Sequence, residues 1–480
     1  MIIPDRIPLS RKPKVSELMD RHASRRDRYI RRNRYYYRDL VNFLLFHVPK
    51  ASRVLEIGCG TGFLLNSVNP RRGVGIDVSG RMVEIARQNF PAFTFLQMDG
   101  ENLEIEEKFD YIVMSDTIGY FEDIQSQFSN LHHVCSPDSR VIITYLNFLW
   151  SPLLRIAELL RLKMPSGNIS WLNIKDIKNL FHLAGFETVK TGRRFLCPVF
   201  VPVLSWLLNK FVAPLPVFNR LCLVNFVIAR QMPAVDAERQ EAKVSVIVPA
   251  RNEEGNIEEV VKRIPEMGTA TEIIFVEGGS TDRTREEIIR VSEQYEASRD
   301  VKWVTQDGKG KGDAVRKGFG MASGDILMVL DADLSMAPED LEKFFRLIAG
   351  RGGELVAGSR LVYPLEKDSM RTLNLIGNRF FSIMFSWILG QRIKDTLCGT
   401  KAISKRNWQR IQQDRGYFGE FDPFGDFDLI FGAAKLDLKI LEIPIRYRAR
   451  QYGVSNISRL GHGWLLFKMM IFAMRKIKFH

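Results

Sequence analysis

Between residues 54 and 190, short apolar runs alternate with longer stretches of helical period. That rhythm predicts a parallel sheet with helices on both faces. The predicted strands are Val54–Ile57, Gly73–Ile76, Phe93–Leu96, Tyr111–Met114 and Val141–Tyr145. A stretch rich in Pro, Leu and Phe follows from about 191 to 230, read as a helical appendage that is either buried or lying on a bilayer. Polar residues without a strand pattern at 231–242 mark a linker. The alternation then restarts with strands Val244–Val248, Glu272–Val276, Val301–Val304, Ile326–Leu330 and Glu354–Ala357. Ahead of all this, residues 1–50 interleave Arg25, Arg26, Arg28, Arg31 and Arg32 with Tyr29, Tyr35, Tyr36 and Tyr37, which predicts a basic helical lid. The expected fold class is α/β in two domains, 51–230 and 243–480.

Composition narrows this picture only in places. A chain of 480 residues is too long for one ordinary core. The net charge of +13 implies an anionic partner: nucleic acid, sugar nucleotide, lipid phosphate or membrane surface. Five scattered cysteines with no Cys-x-x-Cys pair argue against a disulfide framework and for a reducing compartment. The start of the chain has no signal-peptide pattern. The longest apolar candidate, Phe195 to Leu208, is broken by Pro198 and Pro202 and falls short of the roughly 20 residues that cross a bilayer. The expected location is the cytoplasm, with peripheral contact at the inner membrane.

Two places carry chemistry. In the first, Val54-Leu55-Glu56-Ile57 runs into Gly58, Gly60 and Gly62, a turn that lets a ligand approach the backbone closely. Glu56 can support that loop or receive a cationic ligand. Asp77 ends the second strand, where a carboxylate can accept ribose hydroxyls, and Asp99 ends the third, in reach of an adenine amino group. Asp116 and Tyr120 fall near the end of the fourth strand. His132 and His133 read as a packed or surface pair. In the second place, Val246-Ile247-Val248-Pro249-Ala250-Arg251-Asn252-Glu253 is a buried strand entering a loop, and Ile273–Val276 ends at Glu277 and a glycine turn. Gly308-Lys309-Gly310-Lys311-Gly312 adds flexible backbone and positive charge. Asp331-Ala332-Asp333 follows a strand, and carboxylates at i and i+2 suit a divalent ion bridging a diphosphate.

Residues 54–150 resemble a class I S-adenosylmethionine-dependent methyltransferase of Rossmann-like fold. The match lies in the Glu56-to-Gly62 loop, Gly75-Ile76-Asp77 and Asp99-Gly100-Glu101-Asn102-Leu103. Residues 243–455 resemble the family 2 glycosyltransferases of GT-A fold, particularly dolichyl-phosphate mannose synthases. The domain order resembles a group of bacterial fusions. The resemblances imply S-adenosyl-L-methionine at Glu56, Gly58, Gly60, Gly62, Asp77 and Asp99. They imply a UDP- or GDP-linked sugar at Pro249, Ala250, Asn252, Glu253 and Glu277, with Mg²⁺ or Mn²⁺ on Asp331 and Asp333. Arg360 and Arg371 would neutralise phosphates, and Asp395, Asp426 and Asp428 would face the acceptor, with Asp395 as base if the acceptor is a hydroxyl. One departure is that the family usually has Asp where Glu277 and Gly278 stand, which leaves the donor base open. Inverting transfer by a single in-line displacement is implied, one sugar per encounter, to a lipid phosphate or an envelope glycan.

Two rival readings stay in view. The first domain could bind S-adenosylmethionine without turning it over. The basic N-terminus could instead serve an RNA methyltransferase, ranked last because nothing in the chain resembles a base-recognition module.

Overall fold

In the computed structural model, which describes residues 12–233, 241–362, 372–418, 427–447, 452 and 459–479, the chain divides between Met232 and Pro233 into two compact units. The first unit holds a sheet of seven strands: β1 (Arg53–Ile57), β2 (Arg72–Asp77), β3 (Thr94–Gln97), β4 (Phe109–Ser115), β5 (Cys135–Leu146), β6 (Phe186–Arg194) and β7 (Val224–Gln231). Their spatial order is β3-β2-β1-β4-β5-β7-β6. The first five pair in parallel, and β7 lies antiparallel between β5 and β6. Parallel strands covered on both faces read as continuous apolar runs, and Leu55, Ile76, Ile112, Met114 and Ile143 are all buried.

The predicted appendage is largely corrected here. Residues 224–231 are an inner strand of the sheet, not a helix, and only short turns within Leu204–Leu221 are helical. The reason is long-range pairing: Val141 stands opposite Ala229 and Thr144 opposite Phe226, contacts no local window contains. Two helices precede β1, α1 (Lys12–Arg32) and α2 (Arg34–His47). Leu40, Phe43 and Leu44 of α2 enter the core with Val54, Ile142 and Ile228. By contrast, α1 buries only Ala23 and Ile30, so its placement depends on polar contacts.

The second unit contains β8 (Lys243–Ala250), β9 (Ala270–Glu277), β10 (Asp300–Thr305), β11 (Ile326–Val329), β12 (Leu355–Ser359), β13 (Lys401–Ser404) and β14 (Ile440–Pro444). The order is β10-β9-β8-β11-β13-β12-β14, with β13 antiparallel to both its neighbours. Val246, Val248, Phe275, Met328 and Phe344 are fully buried in its core. A side chain of that size contributes about 1.5–3 kcal/mol by leaving water. Strands β13 and β14 were not expected, because Lys-Ala-Ile-Ser is short and polar at both ends and Ile440–Pro444 closes on a proline.

Two apolar helices of this unit are partly buried. The helix Thr372–Leu389 buries Phe385, Ile388 and Leu389, and Phe385 stacks near Phe427 and Phe431. The helix Arg459–Ala473 buries Leu466, Met469 and Met470. The lysines beyond it are engaged as well: Lys476 donates to the Tyr417 carbonyl and Lys478 to the Trp387 carbonyl. No described helix is long and apolar enough to cross a membrane.

Candidate active sites

The turn leaving β1 begins with Gly58 at φ +78°, its amide donating to the Ile76 carbonyl at 2.8 Å. A Cβ there would run into the Thr117 side chain, and one at Gly62 (φ +80°) would run into the Phe95 ring. These glycines let the loop lie flat against its neighbours before α3 (Phe63–Val68) starts. Asp77, at the end of β2, accepts from the Gly60 amide at 2.8 Å and the Ser79 amide at 2.9 Å, so it holds both the glycine turn and the start of α4 (Gly80–Asn89). Glu56 is buried and accepts the Leu65 amide at 3.0 Å. Burial, helped by the neighbouring Asp77 charge and opposed by that amide, pushes its carboxyl up to about 8.

Beside this loop lies a cavity of about 540 Å³. Gly58, Gly60, Asp77 and Asp99 line it, whereas Glu56 and Gly62 do not. Its size is that of small-molecule and cofactor sites. Asp116 and Tyr120 also line it. One Asp116 oxygen accepts from the Tyr36 hydroxyl at 2.5 Å, while the other is buried with no hydrogen-bond partner. The Tyr145 hydroxyl in the same wall is also unpartnered. A cradle of glycine backbone, three carboxylates and an unsatisfied acid oxygen suits a cationic nucleoside such as S-adenosylmethionine. The His132 ring is structural, bridging the Ala184 carbonyl and the Gln231 amide.

The helical character of the N-terminal segment was visible in the sequence, but its inward-facing residues were not. Lys12 bonds Asp99 at 2.7 Å and Glu101 at 2.5 Å. Ser16 donates to the Val78 carbonyl, Asp20 accepts from the Ser79 hydroxyl, and Asp27 accepts from the Thr61 hydroxyl at 2.6 Å. Positions 12, 16, 20 and 27 fall on one helical stripe, a signal that the emphasis on arginines obscured. Arg26, also on α1, lines the cavity among Asp77 and Asp116. The lid therefore presents its own cations to the acids a ligand would use.

In the second unit, β8 delivers Pro249 and Ala250 beside Glu277 at the end of β9, with Ala250 and Glu277 in register. Asn252, at φ +58°, accepts from the Thr281 amide at 2.8 Å. The Glu253 amide donates to the Thr284 hydroxyl at 2.8 Å, and Glu277 accepts the Ser280 amide at 2.6 Å. Five predicted nucleoside residues thus meet at the ends of two adjacent parallel strands, where α/β sheets bind ligands.

Asp331 and Asp333 follow β11. Asp333 is buried and accepts the Ser335 amide at 3.0 Å. Asp331 takes the Lys311 ammonium from the glycine-rich loop. Burial would raise its carboxyl, but Lys311, with Lys401 and Arg360 behind it, overrides that and holds it below the ordinary range. Lys401 sits at the start of β13, an element not read from the sequence, so its place by the acids was missed. Among the described residues no group of three or more His, Cys, Asp or Glu side chains could hold a metal unaided. The acid pair fits Mg²⁺ or Mn²⁺ when phosphate oxygens complete the shell, since hard ions of this kind need six or more oxygens.

Asp395, expected as the base if the acceptor is a hydroxyl, has its carboxylate occupied by protein donors. Arg360 Nε and its own amide donate to one carboxylate oxygen at 2.7 and 3.0 Å. Arg360 Nη2 and the Leu397 amide donate to the other at 2.9 and 3.1 Å. Four donors fill the roughly four lone-pair sites of a carboxylate, and the side chain is fully buried. Asp395 therefore orients Arg360, which also lies 5.1 Å from the Tyr447 ring. Asp428 pairs with Arg316 at 3.1 Å. Arg371 and Asp426 lie outside the described residues.

Comparison with known proteins bears on both units. Residues 29–191 match the family "Methyltransferase domain" and residues 245–410 match "Glycosyl transferase family 2". The chain is similar to a dolichol-phosphate mannosyltransferase of Pyrococcus furiosus, 41% identical over 222 residues, covering 45% of this chain and 59% of that protein. It is also similar to an undecaprenyl-phosphate 4-deoxy-4-formamido-L-arabinose transferase of Edwardsiella ictaluri, 35% identical over 121 residues, covering 24% of this chain and 37% of that protein. The chain thus spans little more than half of the first relative and about a third of the second. A solved SAM-dependent methyltransferase of Thermotoga maritima aligns at TM-score 0.36 and 19% identity, covering 45% of this chain and 99% of that one.

Proposed function

From a chain that joins a methyltransferase domain to a family 2 glycosyl transferase domain, we propose an enzyme with two activities. The first domain transfers a methyl group from S-adenosylmethionine. The second transfers a sugar from a UDP- or GDP-linked donor, with Mg²⁺ or Mn²⁺, to a lipid-linked or cell-envelope acceptor. A lipid phosphate is favoured, because the two named relatives are described by dolichol- and undecaprenyl-phosphate. The observation that carries the proposal is that each unit gathers strand-end carboxylates beside a backbone turn: Asp77, Asp99 and Asp116 in one, Asp331 and Asp333 in the other.

In the first site, catalysis rests on alignment of the acceptor with the methyl group, which alone can supply several kcal/mol. The Asp77 and Asp99 carboxylates would hold the ribose and adenine, and Asp116 would face the sulfonium. In the second, Asp331 and Asp333 would hold the ion that neutralises the leaving diphosphate. Lys311 and the Asp395-oriented Arg360 would bind the phosphate oxygens. An ionised phosphate acceptor needs no protein base, which agrees with the saturation of Asp395.

The deciding experiment measures donor turnover by the purified protein with Mn²⁺ or Mg²⁺, across UDP- and GDP-sugars and with membrane lipid extract. Asp333→Ala should abolish metal-dependent transfer, a loss of about 10³-fold or more. No transfer from any donor would end the glycosyltransferase assignment.

A second reading has one observation in its favour: Lys12 already occupies Asp99, as a non-catalytic binding domain could tolerate. Lys12→Ala separates the two. If the lysine is a displaceable lid contact, S-adenosylmethionine should bind the variant severalfold more tightly, and turnover should persist.

A further inference from the structure

Most of the large apolar side chains exposed among the described residues fall in two segments of the first unit, 148–162 and 199–221. Leu159 is 82% exposed, Val217 74%, Val203 70% and Val199 66%. Soluble monomers rarely leave a contiguous patch of this kind uncovered. The segments adjoin: the Trp150 indole donates to the Leu221 carbonyl at 2.8 Å, and Asn147 donates to the Cys222 carbonyl at 2.9 Å. The helix Ser151–Leu159 carries one segment, and short turns from Leu204 to Leu221 carry the other. Neither could span a bilayer, and both could lie in its interface.

The charge around this face is mostly positive. Arg155, Arg161, Lys210 and Arg220 stand within the two segments, and Lys210 lies 5.7 Å from the Trp206 ring. Arg32 reaches the Arg161 carbonyl, and Arg38 packs over Tyr35, which meets Phe200. The segments contain a single carboxylate, Glu158, bound at 2.6 Å by Lys163. An apolar surface edged by Arg and Lys, with a tryptophan on it, has the composition of an anionic-bilayer contact. A second copy of the chain would bring the same cations together, so charge complementarity favours lipid.

The face also meets the cavity. Leu153 and Val199 are exposed residues that line it, as do Leu154, Ala157 and Pro198, and Asp116 and Tyr145 line the same cavity. We propose that the first unit docks on an anionic bilayer through 148–162 and 199–221, and that its methyl acceptor is an amphiphile entering from the lipid phase. The hydrocarbon would lie between the helix Ser151–Leu159 and Pro198–Val199, with the headgroup toward Asp116 and Tyr145. The acceptor part rests on the methyl-donor reading of the cavity; the docking part does not.

The test uses the full chain and vesicles of phosphatidylcholine alone or with phosphatidylglycerol. Flotation should show binding to the anionic vesicles that weakens as salt rises. The double variants Leu159→Asp/Leu160→Asp and Val203→Asp/Trp206→Asp should each lose about tenfold or more in partitioning, with calorimetric S-adenosylhomocysteine binding unchanged as the check on folding. Brominated phosphatidylcholine, mixed into the anionic vesicles, should quench wild-type tryptophan emission more than that of Trp206→Phe. Wild type that ignores both vesicles, or variants that bind as well as wild type, would overturn docking. A dimer in sedimentation that the same variants convert to monomer would overturn it too, in favour of a copy interface. Docking without S-adenosylhomocysteine binding would overturn the acceptor and the donor reading together, leaving the docking face intact.

Discussion

At the level of single residues, burial decides what an acid can do. Glu56 stands before the glycine turn, yet its carboxyl is turned to α3 and raised to about 8 by burial. Its folded state binds more protons than the unfolded state between the ordinary carboxyl range and about 8, so its contribution to stability falls as pH rises through that window. Glu56→Gln keeps an acceptor for the Leu65 amide and removes the titration. Unfolding free energies of wild type and variant without ligand should diverge from pH 5 to 8 in the variant's favour, by up to a few kcal/mol. A constant difference would contradict the assignment. Asp395 shows the converse, a carboxylate held low by Arg360 despite burial. Asp395→Asn should lower stability by about 3–5 kcal/mol because it leaves the Arg360 charge without its partner. Sugar transfer should weaken while the shape of its pH profile stays as in wild type. Loss of an acidic limb in the variant would restore Asp395 as a base.

Among elements, turns and edges matter more than helices and strands. The passage from β1 to α3 depends on a left-handed Gly58 packed against Thr117. Gly58→Ala combines backbone strain with a clash. S-adenosylmethionine affinity should fall by about tenfold or more, measured by calorimetry, since strain of about 1–3 kcal/mol must be relieved by moving the loop. Unchanged affinity would remove the loop from the donor site. The five parallel strands of the first unit were legible because each is an apolar run followed by a turn. Strands β6, β7, β13 and β14 were not, since their strand state is set by partners far along the chain. The partners of the helix Thr372–Leu389 are likewise distant, since Phe385 meets Phe427 and Phe431.

For the molecule as a whole, each unit has its own sheet and its own core, which predicts independent thermal responses. Calorimetry should resolve two transitions. S-adenosylhomocysteine should raise one of them, and UDP or GDP with Mn²⁺ the other. At a hundredfold excess over Kd each ligand adds about 2.7 kcal/mol to the unit that binds it. A single transition raised equally by both ligands would count against separate sites. The sequence by itself determined that there are two α/β units, and it placed Asp77, Asp99, Asp331 and Asp333 at strand ends, because strand ends and glycine turns are local patterns of period and residue type. Only the tertiary structure showed that Lys12 and Arg26 enter the first cavity and that Lys311 and Lys401 flank Asp331. It alone showed Asp395 saturated by Arg360 and the apolar face of 148–162 and 199–221 exposed to solvent. Those facts depend on which distant groups share a low-dielectric space and which find no cover, and no window of sequence contains either.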